Sequence, residues 1–180
     1  MKKLLLSASA ALLLAGIATQ AQAYDGMITF NGTVSAQTCS IGAAGATNNG
    51  TVTLPTVAAT SLAAANATAG TTQFSIKLTG CSGPATQAAA WFESGSNVNP
   101  ATGRLINTGT AGNVDVALYN LGSVTPIAVG QGSGAIGSSG AAFSLSSGAA
   151  TLNYQAKYYA TGTATAGTVV ATVNYTIQYQ

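Results

Sequence analysis

Histidine is absent from the chain and charge is scarce: five Lys+Arg and three Asp+Glu make up 4% of 180 residues, against roughly 25% in an ordinary globular domain. Each shortage excludes a class of function. Without histidine the commonest general base and metal ligand is missing, and no serine has the partner that a Ser–His nucleophile requires. Three scattered carboxylates are a poor basis for a metal cage or an acid–base pair. The reading is therefore a non-enzyme with no cofactor and no metal. The row of phosphate contacts that drives nucleic-acid binding is also missing.

Position gives the few charges their meaning. Lys2 and Lys3 precede an apolar run from Leu4 to Ile17, and Ala21-Gln22-Ala23 closes it. A basic start, an apolar stretch and an A-x-A end describe a secretory signal peptide, residues 1–23, cut after Ala23. The mature protein would then be 24–180, with Lys77, Arg104 and Lys157 opposing Asp25, Glu93 and Asp115. The formal charge of +2 thus belongs to the leader, and the mature chain is neutral. No second apolar run approaches the roughly 20 residues that cross a bilayer, so no membrane span is expected in the mature chain.

Cysteine is the next scarcity. Cys39 and Cys81 are the only two, and in an exported chain such a pair most simply forms one structural disulfide. Hydrophobic residues are 47% of the chain, but thirty-six residues are Ala, so large apolar side chains are few. The Thr-, Ser-, Gly- and Ala-rich composition is compatible with disorder. Disorder, however, goes with high net charge and few aromatics, whereas this chain ends in a dense Tyr and Val pattern.

What the chain does have is alternation. Ile28, Phe30, Gly32 and Val34 alternate with Thr29, Asn31 and Thr33, the period of a strand. Strands are likewise expected at 51–55 (stopped by Pro55), 72–78, 88–92, 113–121, 125–129 and 150–160, with a possible helical turn in the Ala-rich stretch 58–70. The final segment is the most regular: Val169, Ala171, Val173, Tyr175, Ile177 and Tyr179 share one face. Short alternating strands between Gly-rich turns indicate an all-β sandwich or barrel. Periodicity alone leaves open a complete sandwich in which 26–34 and 169–179 are simply the first and last strands.

Specific motifs narrow this. Gly26 to Val34 reads G-x-I-x-F-x-G-x-V just before the first cysteine, and Phe74 to Cys81 reads F-x-I-x-L-x-x-C. YQAKYYATGTATAG occupies 154–167, Gly167 is fourteenth from the last residue, and Tyr179 is penultimate. This arrangement resembles the major subunits of fimbriae assembled by the chaperone–usher pathway, of the type 1 pilin kind. The resemblance implies an incomplete immunoglobulin-like β-sandwich lacking its last strand, completed by a donor strand from another subunit. Residues 24–36 would be the N-terminal extension that supplies the donor, through Ile28, Phe30, Gly32 and Val34, and 37–180 the pilin domain. Gly167, Val169, Val173, Tyr175, Ile177 and Tyr179 would form the groove edge and C-terminal motif. The implied partners are neighbouring subunits in a homopolymer, a periplasmic chaperone and an outer-membrane usher, and the implied location is an extracellular fimbrium that supports cell adhesion.

Other readings compete. A minor or adaptor pilin would share these motifs. A secreted monomeric β-sandwich that binds carbohydrate would use Trp91 and the tyrosines as a platform, although a Trp buried in the sandwich is the expectation. Gly132 to Gly137 fits G-x-G-x-x-G, but no acid follows Asp115 and the surroundings are Gly/Ser-rich, so it reads as a loop rather than a dinucleotide site.

Overall fold

Alternating side chains become strands where each can find a ladder. The computed structural model describes residues 26–132, 136–138 and 140–180. The expected signal peptide, Tyr24 and Asp25 of the extension, and 133–135 of the Gly-rich loop lie outside the described residues. These fall into two units: 26–33 in the N-terminal one, and Val34–Gln180, which holds the sandwich. Its strands are β1 (Thr38–Ala43), β2 (Thr68–Ser82), β3 (Gln87–Phe92), β4 (Val114–Asn120), β5 (Phe143–Ser144), β6 (Ala150–Ala160) and β7 (Tyr175–Tyr179), with one 3-10 turn at Ala59–Leu62.

The strands form two antiparallel sheets, one ordered β1-β2-β6-β4 and the other β5-β3-β7. Period two decides what lies between them. From β2 come Ile76 and Leu78, from β6 Leu152, Tyr154 and Ala156, from β4 Val116 and Leu118, and from β3 Ala88, Ala90 and Phe92. A smaller cluster of Leu62, Val114, Ala160 and Ala164 closes one end.

Tyr154 occupies the centre. Its ring centroid lies 5.1 Å from Phe92 and 5.6 Å from Phe143, both edge-on, and 5.7 Å from Phe74. Its hydroxyl accepts the Ala90 N–H at 3.2 Å. That amide needs an acceptor because β5 pairs only with Gln87 and Ala88 and stops short of it. Burial pushes the Tyr154 phenol up to about 12, with the Ala90 hydrogen bond pulling the other way.

Four expectations need correction. Trp91 is only half-buried and lies on the outer face of β3, opposite Ala90 and Phe92, with its Nε1–H donating to Glu93 Oε2 at 3.1 Å. The aromatic at the core's centre is instead Tyr154, beside Phe92, and its polar tip has a partner inside. Among the described residues the expected strand 51–55 joins no ladder, and 125–129 makes a single bridge, Tyr119 to Pro126. In addition, the ladder of the last strand begins at Tyr175 rather than Val169: beyond Phe92 the Glu93 N–H still reaches Asn174 O, and 168–170 bond to 107–111 instead.

Candidate functional site

Strand parity shows which backbone groups of the last strand are spoken for. Gln180 and Gln87 exchange both bonds, N180 to O87 at 3.0 Å and N87 to O180 at 2.8 Å, and Glu93 N–H donates to Asn174 O at 2.9 Å. Ala89 stands opposite Gln178 and Trp91 opposite Thr176. Even-numbered residues therefore aim their backbone at β3. In an antiparallel ladder the intervening residues aim the other way, so Tyr175, Ile177 and Tyr179 present theirs to an edge that is open among the described residues. The same parity continues upstream. Ala111 N–H donates to Thr168 O at 3.0 Å and Thr108 N–H to Val170 O at 2.8 Å, while Val170 N–H donates to Asn107 Oδ1 at 2.9 Å. Val169, Ala171 and Val173 are left facing the open side.

The side chains of these odd-numbered residues point at the core. Val169, Ala171, Val173, Tyr175, Ile177 and Tyr179 all pack against the main cluster, yet each stops half-buried. On β6, by contrast, Leu152 and Tyr154 are fully buried. Six consecutive inward positions are thus covered on one side only. Burial is already enough to push the Tyr175 and Tyr179 phenols above their ordinary range.

The other sheet has a matching open edge. Ala44 N–H donates to Ser75 O while Ala43 N–H turns away to Thr47 O, so even residues of β1 face β2. Cys39 and Ile41 face outward and lean half-buried on the core. The disulfide joins Cys39 to Cys81 at a Cα–Cα distance of 4.1 Å across 42 residues and ties this edge strand to the end of β2. Beyond β1, Val52, Leu54 and Val57 alternate half-buried with exposed Thr51, Thr53 and Pro55. The two edges approach one another: Tyr175 Oη donates to Asn48 O at 2.7 Å, from β7 to the loop after β1.

Gly167 begins the open-edged segment. A Cβ there would stand 2.6 Å from the Thr110 carbonyl carbon and 2.7 Å from Ala111 Cα, so any side chain would lift the segment off 107–111. Of the N-terminal residues, Ile28 is 79% exposed, Phe30 89% and Val34 101%. They carry no regular secondary structure, and a Cβ on Gly32 would meet nothing within 4 Å. Sequence reading missed the Asn107–Ala111 support and the Asn48 tie, because neither carries a periodic signal. The Val52-x-Leu54 alternation was readable, but not its lack of a partner.

Charge plays a supporting role on the outer face of the four-stranded sheet. Arg104 Nε donates to Asp115 Oδ2 at 3.1 Å and its guanidinium lies 4.3 Å from the Tyr159 ring centre. Lys157 Nζ lies 4.3 Å over Tyr119. Among the described residues, no group of three His, Cys, Asp or Glu is placed to hold a metal ion, and no helix is long and apolar enough to cross a membrane.

Known proteins share both sequence and fold. The family described as Type-1 fimbrial protein, A matches residues 54–180. The chain is 47% identical over 164 residues to the F17 fimbrial protein of Escherichia coli, covering 88% of this chain and 89% of that protein. It is 45% identical over 172 residues to the major fimbrial subunit SMF-1 of Stenotrophomonas maltophilia (strain K279a), covering 93% and 99%. The crystal structure of the P pilus rod subunit PapA superposes with a TM-score of 0.59 at 20% identity, over 79% of this chain and 99% of that one. An all-β sandwich of the immunoglobulin kind that lacks a strand, with a half-covered core at two open edges, accounts for the structural likeness. The chain belongs to the type-1 fimbrial protein family and is a structural subunit of a fimbrium.

Proposed function

We propose that this subunit polymerises by donor-strand exchange, residues 24–36 of one copy filling the groove between the open edges of the next. The observation that supports this best is the last strand. Its odd-numbered residues combine a backbone that faces away from β3, with no ladder to another described strand, and half-buried apolar side chains, which is what an added strand would satisfy. Ile28, Phe30 and Val34 are the donors, and Gly32 admits close backbone approach on the same face. Val169, Val173, Tyr175, Ile177 and Tyr179 form the receiving edge, with Gly167 seating its start.

Open strand edges are normally blunted by charge or Pro. Residues 26–36 and 169–180 contain no Lys, Arg, Asp, Glu or Pro, so neither is protected against pairing. A head-to-tail contact between unlike surfaces that does not close grows into a fibre. In this reading the leader 1–23 directs export, a periplasmic chaperone covers the groove until an outer-membrane usher permits exchange, and the product is an extracellular fimbrium. The activity is strand exchange and not catalysis.

The test compares the mature chain with and without 24–36 in the presence of a cognate chaperone, by size distribution and electron microscopy. Fibres are expected only from the full-length form, and both forms should bind the chaperone. Fibres from the truncated form, or none from the full-length form, would overturn the proposal.

A further inference from the structure

Just before β1, one side chain makes contacts that no strand ladder requires. Gln37 folds across to the turn that follows β2. Its Oε1 accepts the Ala85 N–H at 3.2 Å, its Nε2–H donates to Cys39 Sγ at 3.8 Å, and its backbone N–H donates to Ser35 Oγ at 3.2 Å. Thr38 Oγ1 and Ser82 Oγ, 2.7 Å apart, add a second link between the same two segments. Gly83, at φ +129°, makes room for the fold-over: a Cβ there would fall on Gln37 Oε1 and stand 3.0 Å from its Cα.

The same turn also ends the open edge. Thr86 N–H donates to Gln180 O at 2.6 Å, and Thr86 Oγ1 donates to that oxygen at 3.3 Å. Two adjacent residues thus hold two different ends of the chain. Ala85 holds the root of the N-terminal segment, and Thr86 holds the last residue of the receiving strand.

We propose that Gln37 is a positioning residue for assembly, clamping the direction in which the donor segment leaves the sandwich relative to the subunit's own groove. This rests on the donor-strand reading of 24–36. In a head-to-tail fibre the direction between outgoing donor and incoming groove recurs at every joint. A loosened root at each joint would therefore accumulate as bending and loss of register along the fibre. The clamp acts through an acceptor oxygen, so Gln37→Glu retains it and Gln37→Ala removes it.

Two measurements decide the matter on the full chain. In the soluble subunit, hydrogen exchange of the Ala85 amide should be slow in wild type and Gln37→Glu, and fast in Gln37→Ala, with the melting temperature unchanged. In fibres seen by electron microscopy, Gln37→Ala should lose the regular repeat and broaden the bend-angle distribution, while Gln37→Glu keeps both. An Ala85 amide indifferent to Gln37→Ala would overturn the clamp. So would Gln37→Ala fibres as regular as wild type, or Gln37→Glu fibres as irregular as Gln37→Ala. Failure of the wild-type chain to form fibres would instead sink the donor-strand reading, and the amide measurement would still judge the clamp.

Discussion

Phe30 offers the sharpest separation between a donor residue and an ordinary core residue. Its side chain is 89% exposed in the subunit, so Phe30→Ala should change the subunit's own stability by no more than about 0.5 kcal/mol, as for other surface positions. In the groove of a neighbour the ring would be buried, and full burial of such a side chain is worth roughly 1.5–3 kcal/mol. At about 1.4 kcal/mol per tenfold change in an equilibrium constant, the substitution weakens donor binding ~10- to 150-fold. Ile28 and Val34, 79% and 101% exposed, contribute on the same scale, so Phe30 carries about a third of the apolar gain. The assay titrates a synthetic peptide of residues 24–36, wild type or Phe30→Ala, into subunit that lacks those residues. A melting curve of each full-length form accompanies it. Equal affinities for the two peptides, or a melting temperature that falls in the Phe30→Ala subunit, would refute the assignment.

Further outcomes follow from the same geometry. Gly32→Val should leave the subunit's melting temperature untouched, since a Cβ there has nothing within 4 Å, yet block fibre growth; normal growth would remove Gly32 from the buried face of the donor. Replacing Cys81 with Ser opens a bridge that spans 42 residues, which on the chain-entropy account removes about 4 kcal/mol; a denaturation midpoint unchanged from wild type would show the bridge to be dispensable. Tyr154 makes the sandwich alkali-sensitive. Its phenol is raised to about 12 from an unfolded value of 10.0, so its contribution is complete below pH 10 and lost as pH climbs towards 12. At 1.36 kcal/mol per pKa unit the loss is at most about 3 kcal/mol. Melting temperatures recorded from pH 9 to 12 should fall in wild type and less in Tyr154→Phe, and parallel curves would contradict the shift.

Much of the fold is visible in local pattern because strand alternation is local. The segment 150–160 reads as a strand with Leu152, Tyr154 and Ala156 on one face, and β6 spans Ala150–Ala160 with those residues buried. The same reading of 72–78 understates β2, which runs Thr68–Ser82; its early part has little apolar signal and is a strand because β6 lies alongside. β5 has two residues and no pattern to detect. Trp91 misleads because hydrophobic size says nothing about which face of β3 meets the opposite sheet, and parity assigns it outward with Ala89.

By itself, then, the sequence determines a nearly uncharged chain of alternating strands whose two most regular uncharged segments stand near its ends. Those properties depend on residue type and spacing, which a linear string contains in full. The tertiary structure alone decides that the backbone of Val169, Ala171 and Val173 faces away from 107–111, that Tyr175 reaches Asn48, and that the six inward residues of the last segment stop half-buried. Coverage and pairing are set by neighbours distant along the chain, so an edge is known to be open only once every other strand has found its place.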